Sequence, residues 1–281
     1  MDIINSVEEM QQRALTARGN GQKIAFVPTM GYLHQGHLSL LEEGRRRGVL
    51  LVLSIFVNPT QFGQGEDFDD YPRDLRKDCA LAEEVGVDLV FAPDAKQMYP
   101  SGYATYVDVE RLTESLCGAS RPGHFRGVTT VVNKLFNIVQ PHVALFGCKD
   151  FQQLAVIRQM VTDLNMPVDV IGMPIVREED GLAMSSRNVY LSAAQRLQAL
   201  TLSAILGESA HRATAGERDP QVLIEAARQR IAELADARID YIQICHQDSL
   251  EDMTQIDDNA VMLLAVYIGD TRLIDNGYLL R

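Results

Sequence analysis

A chain of 281 residues is long enough to bury a sizeable core, and the usual domain size predicts two domains. Its formal net charge of −12, from 26 Lys and Arg against 38 Asp and Glu, argues against a nucleic-acid partner, whose phosphates must be neutralised by lysines and arginines. No stretch reaches membrane-spanning length without charge or Pro, and MDIINSVEEMQQR lacks the basic-then-apolar form of a signal peptide, so a cytoplasmic protein with no membrane partner is expected. Cys79, Cys117, Cys148 and Cys245 are scattered with no CxxC, which suggests neither a zinc knuckle nor a disulfide framework.

The apolar run from Lys23 to Val27 reads as a buried parallel strand. Beyond it PTMGYLHQGH turns into a helical pattern that begins with Leu38, Leu40 and Leu41. A strand over 49–57, a helix over 73–86, a strand over 87–92, a helix over 125–139, a strand over 143–146, a helix over 151–164 and a strand from Val168 follow. Such alternation means a mostly parallel sheet with right-handed crossovers, a Rossmann-like α/β plan with helices on both faces. The composition shifts after Tyr190. An Ala- and Leu-rich helical stretch runs from Ser192 to Gly216, Asp219-Pro220 opens another helix, and strand-like runs cover 239–245, 260–268 and 271–274. We therefore expect a Rossmann-like domain over 1–176 and a smaller C-terminal α+β domain over 177–281. A nucleotide lying between them would be enclosed by their relative motion.

In open parallel sheets ligands bind beyond the carboxyl ends of the strands, and the polar motifs all follow strands. His34 and His37 of HQGH stand three apart at a helix N-terminus, where free N–H groups and the helix dipole favour phosphate, and residues at that spacing share one face. Gly31 and Gly36 permit a tight turn and close approach of backbone to a ligand. Taken alone, two solvated turn histidines would read the same. Asn58 and Gln61 of NPTQF offer amides to a substrate's hydroxyls and carboxylate, although turn chemistry would also account for them. In GCKDFQQ, Lys149 would be a point charge near phosphate and Asp150 an N-cap or magnesium contact, with plain solvated surface as the alternative for Lys149. GLAMSSRN packs two hydroxyls, a guanidinium and an amide into one loop suited to a polyphosphate, or into an ordinary polar turn. Neither GxGxxG nor GxxxxGK[ST] is present, so a dinucleotide dehydrogenase and a P-loop kinase are poorly supported.

HxGH paired with SSRN resembles the nucleotidyltransferase superfamily that includes the class I aminoacyl-tRNA synthetases, enzymes that activate a carboxylate with ATP. With PTMG before HxGH, NPTQF, RPGHFRGVTTVVNKLFNIVQP, ALFGCKDFQQ and MSSRN in that order, the stretch from Phe26 to about Leu191 resembles, more narrowly, the pantoate–β-alanine ligase family. The family commonly has FGEKD or FGQKD, so Cys148 departs from it, while Gly147, Lys149 and Asp150 are all present. Beyond Asn188 the match is looser, and TRLIDN is its best-kept part.

The resemblance implies condensation of (R)-pantoate with β-alanine to pantothenate through a pantoyl adenylate, with ATP giving AMP and pyrophosphate. It implies phosphate contacts from His34 and His37, with His37 the proton donor or charge stabiliser, and a polyphosphate held by Lys149, Ser185, Ser186 and Arg187. Met30, Gly31 and Met184, with backbone around Gly147, Asp150 and Val176, would seat the nucleotide. Gln61 and Gln153 would orient pantoate. Mg2+ would arrive largely on ATP rather than in a protein cage, and the enzyme would be a homodimer formed through its N-terminal domain. Two rivals stand beside this: another HxGH nucleotidyltransferase acting on a phosphate acceptor, which would need extra cations where this chain has amides, and a non-catalytic nucleotide-binding module.

Overall fold

The structure, a computed structural model, describes residues 1–280, which form two compact units. One comprises Met1–Cys148 and Gln153–Pro174, the other Lys149–Gln152 and the chain from Ile175 on.

In the first unit the chain runs β1 (Asp2–Ile4), α1 (Val7–Gly19), β2 (Ile24–Thr29), α2 (Gln35–Arg47), β3 (Leu50–Ile55), α3 (Leu75–Glu84), β4 (Leu89–Phe91), α4 (Ala95–Met98), α5 (Cys117–Ser120), α6 (His124–Val139) and β5 (Val143–Gly147). Helix α7 (Phe151–Asp163), whose first two residues belong to the second unit, and β6 (Asp169–Met173) follow. The strands form one parallel sheet in the order β1-β4-β3-β2-β5-β6. Alternate residues of the strands serve opposite faces. Val27, Leu51 and Leu145 lie against α2 at Gly44, whereas Phe26 and Phe146 each meet Phe136 of α6 edge-on at 6.4 Å. Helices thus cover both faces, which is why β2 and β3 read as continuous apolar runs rather than as alternating ones.

The sheet's order reverses between β2 and β5. After β2 the chain builds outward through β3 and β4, then returns to add β5 on the other side, so the ends of β2 and β5 flank the switch point where such sheets take ligands. The HQGH turn follows β2 directly.

Strand β1 and helix α1 have no counterpart among the expected elements. Three residues are too few for a period-2 signal, and β1 forms only by pairing with β4, Asp2 opposite Leu89 through Ile4 opposite Phe91. Helix α1 was legible: Ser6 accepts from the Glu9 N–H, and Met10, Ala14 and Ala17 make a buried stripe. The helix expected over 73–86 is trimmed to Leu75–Glu84 because Asp74 caps it by accepting from the Lys77 N–H.

The second unit holds α8 (Ala193–Thr214) and α9 (Pro220–Ala232), then an antiparallel meander of β7 (Ala237–His246), β8 (Ala260–Ile268) and β9 (Thr271–Tyr278) in that order. Ser192 and Gln195 form a reciprocal capping box at the start of α8, and Asp219 caps α9 with Pro220 at its first position. Leu202, Ile205 and Leu206 of α8 and Leu223, Ala227 and Ile231 of α9 share a core with Ile242, Ile244, Met262, Leu264 and Leu273. Strand β9 runs past the expected end at residue 274. Its continuation is polar, yet Asp275 and Asn276 are buried and pair with Leu264 and Leu263. Polar residues on a buried face hide the apolar signal by which a strand is recognised.

Candidate active site

The turn between β2 and α2 is held from two directions. His34 is the N-cap of α2: its Nδ1 accepts from the Gly36 N–H at 3.1 Å, and its carbonyl accepts from the His37 and Leu38 N–H groups. His37, at the third helical position, completes the exchange, its Nδ1 accepting from the His34 N–H at 3.3 Å. A capping box is ordinarily built from Ser or Thr with Glu or Gln; here two imidazoles make it, with ring centroids 4.0 Å apart and planes tilted by 33°. Each Nδ1 accepts a backbone hydrogen, so in the neutral ring the proton sits on Nε2.

From the other direction comes Asp78 on α3, 1% exposed, whose carboxylate accepts from the Tyr32 N–H at 2.8 Å and the Leu33 N–H at 2.6 Å. Burial raises its pKa and outweighs the two N–H bonds that lower it. Gly31 has φ +85, and a Cβ there would lie 2.9 Å from both Asp78 Oδ2 and Ile55 Cγ2. Only glycine meets the backbone angle and leaves the carboxylate room.

Gln61 closes a single 3-10 turn after β3 and is buried. Asn58 Nδ2 donates to Gln61 Oε1 at 3.0 Å and to the Gly127 carbonyl at 3.1 Å, while Asn58 Oδ1 accepts from the Tyr99 hydroxyl at 2.8 Å. This fixes which way the Gln61 amide faces, placing its Nε2 3.3 Å from the sulfur of Met30. The backbone of Gln61 is fixed as well. His124 Nδ1 donates to its carbonyl at 2.8 Å, and Arg121 makes two 2.6 Å bonds to Glu66 while a third nitrogen lies 3.1 Å from His124 Nε2. Burial alone would raise the Glu66 carboxyl, but the Arg121 guanidinium holds it down at about 2. Burial pushes the Tyr99 phenol up to about 12, so it stays a donor to Asn58. Helix α6 comes close enough that a Cβ on Gly127 would fall 2.4 Å from the Thr60 carbonyl oxygen.

In the second unit, Val176 and Met184 are joined across a tight turn, the Met184 N–H donating to the Val176 carbonyl at 3.0 Å and Arg177 bridging Ala183. Ser185 then caps a short 3-10 helix over Ser186–Tyr190 by accepting from the Arg187 N–H. The turn is tied down by charge. Arg196 reaches Glu178 at 2.6 Å and Asp180 at 2.7 Å, Arg177 grips Asp275 through both nitrogens, and Asn188 Nδ2 donates to Glu178 and to the Ala183 carbonyl. Lys149 and Asp150 lie in a 3-10 turn ahead of α7, where Asn276 Nδ2 donates to the Lys149 carbonyl at 2.9 Å. Cys148, just before them, is half-buried, and burial raises its thiol pKa.

The first unit therefore brings Met30, Gly31, His34, His37 and Gln61 into one connected neighbourhood, with Gly147 ending β5 and Gln153 on α7. The second connects Val176, Met184, Ser185, Ser186 and Arg187 along one turn, and carries Lys149 and Asp150 in its other segment. Asp78 lies in no sequence motif, and Arg121, His124, Asp275 and Asn276 lie in motifs without an evident role of their own. RPGH and TRLIDN were visible as motifs, and in the structure their polar residues hold Gln61 and Lys149 from behind.

The profile of the family described as pantoate–β-alanine ligase matches residues 2–278. The chain belongs to this family. It is 63% identical over 281 residues to a pantothenate synthetase of Syntrophotalea carbinolica, covering 100% of this chain and 99% of that one, and 61% identical to one of Geotalea uraniireducens, covering 98% of each. Among solved structures, the pantothenate synthetase of Thermus thermophilus matches with a TM-score of 0.95 and 46% identity over 100% of both chains. The pantoate–β-alanine ligase of Francisella tularensis, a complex with beta-gamma ATP and β-alanine, matches with a TM-score of 0.83 and 33% identity over 99% of this chain and 98% of that one. As a member of the family the chain is an enzyme, a ligase that joins pantoate to β-alanine with ATP as a substrate. Among the described residues no helix is long and apolar enough to cross a membrane.

Proposed function

We propose that this ligase works through a pantoyl adenylate, and that the paired histidines of the β2–α2 turn serve the first half of the reaction. A carboxylate is a poor electrophile because its charge is delocalised and oxide leaves badly. In the first step a pantoate carboxylate oxygen bonds to the α-phosphorus of ATP and the bond to pyrophosphate breaks. In the second the amine of β-alanine attacks the acyl carbon, AMP leaves with the bond electrons, and the amine loses a proton. In-line transfer of this kind rests on positioning and on neutralising the charge that develops on the departing phosphates.

The observation that carries the assignment is the reciprocal cap, which commits both Nδ1 atoms to the backbone and leaves each neutral ring a donor at Nε2. Two such donors at the positive end of a helix suit phosphate oxygens. His37 stabilises or protonates the departing pyrophosphate, and His34 contributes to binding ATP. Lys149, Ser185, Ser186 and Arg187 hold the polyphosphate, and Met30, Gly31, Gly147, Asp150, Val176 and Met184 seat the nucleotide. Gln61 presents its amide NH2 to pantoate, the orientation that Asn58 supports by occupying Oε1; Gln153 is its counterpart on α7.

Among the described residues no group of three or more His, Cys, Asp and Glu is placed to hold a metal ion. Mg2+ would instead arrive on ATP, and Asp150 is the carboxylate that would meet it. Bound so, the ion supplies charge neutralisation at the phosphate oxygens. We also propose a cytoplasmic homodimer; the family resemblance supports it, and sedimentation giving only a 31.2 kDa species at micromolar concentration would overturn it.

The test is direct. Pantoate, β-alanine and Mg-ATP incubated with the protein should yield pantothenate and AMP in equal amounts by mass spectrometry. ADP in place of AMP would reject the adenylate.

A further inference from the structure

We infer that Asp78 is a positioning residue for the adenylation step, fixing the β2–α2 turn from outside so that His34 and His37 are delivered in the right place and the right tautomer. The inference rests on the role proposed above for the two histidines.

Two neighbouring side chains of α3 hold this turn. The Asp78 carboxylate accepts from two successive backbone N–H groups, Tyr32 and Leu33, one on each oxygen, so the turn encloses it as it would an anion. The neighbouring Lys77 places its ammonium 5.5 Å from the centre of the Tyr32 ring, gripping the same residue by its side chain. Gly31 supplies the space, since a Cβ there would collide with the carboxylate. The turn needs this hold. Gly31 and Tyr32 are both left-handed, at φ +85 and +52, and for a tyrosine that conformation is unfavourable without outside support. The next residue after Leu33 is His34, whose N-cap geometry, φ −138 and ψ 174, decides whether its Nδ1 reaches the Gly36 N–H and whether its own N–H reaches His37. A shift at Tyr32 or Leu33 therefore propagates within one residue to both imidazoles.

A carboxylate is the side-chain group best suited here, because both oxygens must accept. Asp78→Asn keeps the shape but turns an NH2 toward one of the two N–H donors. A residue needed only for folding would lower stability and leave the turnover of folded protein unchanged; a positioning residue lowers turnover and disturbs the rings.

The experiment compares Asp78→Asn with His37→Ala and wild type below the thermal midpoint of each. It measures pantoate-dependent ATP–pyrophosphate exchange, the Michaelis constants for ATP and pantoate, and the ring 15N shifts of His34 and His37. Asp78→Asn should lower the exchange turnover about 10- to 100-fold, the scale of a misplacement near 1 Å, with the Michaelis constant for pantoate within about threefold of wild type and that for ATP raised. The ring shifts should show mixing of the Nδ1–H tautomer. Wild-type turnover, or lowered turnover with unchanged ring shifts, would overturn the inference. If Asp78→Asn does not fold, Gly31→Ala presses on the same carboxylate from the turn side and should give the same loss of turnover and the same ring shifts; a folded Gly31→Ala with wild-type exchange overturns it. Wild-type exchange in His37→Ala would instead reject the role of the histidines, whereas an impaired His37→Ala beside a normal Asp78→Asn rejects only the role of Asp78.

Discussion

The β2–α2 turn and the loop through Ser185 to Arg187 are both short and polar, yet they are held by opposite means. In the turn the side chains assigned to chemistry also hold the backbone, because His34 and His37 cap each other's segment. A buried carboxylate from a distant helix completes the hold. In the loop the hold comes mostly from side chains other than Ser185, Ser186 and Arg187. Arg177 with Asp275, Arg196 with Glu178 and Asp180, and Asn188 with Glu178 form a partly exposed charged lattice around it. Substitution in the turn should therefore disturb geometry and chemistry together, whereas the backbone hold of the loop does not depend on the residues proposed to meet phosphate alone.

That contrast orders the expected effects. The largest belongs to His37→Ala, which removes both a donor to developing phosphate charge and half of a capping box, and should lower pyrophosphate exchange by about 10²–10³-fold. A pre-made pantoyl adenylate should still react with β-alanine at an appreciable rate, and equal loss in both half-reactions would place His37 elsewhere. Lys149→Ala and Arg187→Ala come next, at about 10- to 100-fold in exchange, since each removes one cation proposed to meet the developing phosphate charge. Wild-type exchange in both at low ATP would reject them as phosphate ligands.

Gln61→Ala and Gln153→Ala should act on pantoate rather than on ATP. Each leaves substrate groups unpaired at a cost of about 1–3 kcal/mol, read as a raised pantoate requirement with direct ATP binding little changed. Lost ATP binding with normal pantoate dependence would reverse that division of roles.

The smallest effect concerns acid stability. The folded Glu66 carboxyl sits at about 2 against an ordinary 4.5, so the stabilisation from its pairing with Arg121 is complete above about pH 4.5 and is lost as the pH falls through about 2. Glu66→Gln should lower stability at neutral pH and flatten the acid limb of the unfolding curve across that window. The pair is partly solvated, which limits its size. An unchanged acid limb would mean that the ion pair does not fix the Gln61 segment.

Residues that follow a strand directly were legible in the sequence: the turn after β2, NPTQF after β3 and GCKD after β5 announce themselves by polar side chains at the end of an apolar run. The sheet and the meander were legible for the same reason, and β1 was not, because a three-residue edge strand exists only through its partner. Asp78 was hidden differently. It lies 46 residues from Tyr32, within a helix that carries several other charged residues, and nothing in its local pattern marks it as buried. The tautomers of His34 and His37 were equally out of reach, since they follow from which backbone N–H each ring meets.

The central claim, that pantoate is activated by attack at the α-phosphorus, is tested most directly by oxygen tracing. With pantoate carrying 18O in both carboxylate oxygens, the account requires one 18O to remain in the amide carbonyl of pantothenate and the other to appear in AMP. AMP free of 18O, with the label in pyrophosphate or inorganic phosphate, would contradict it.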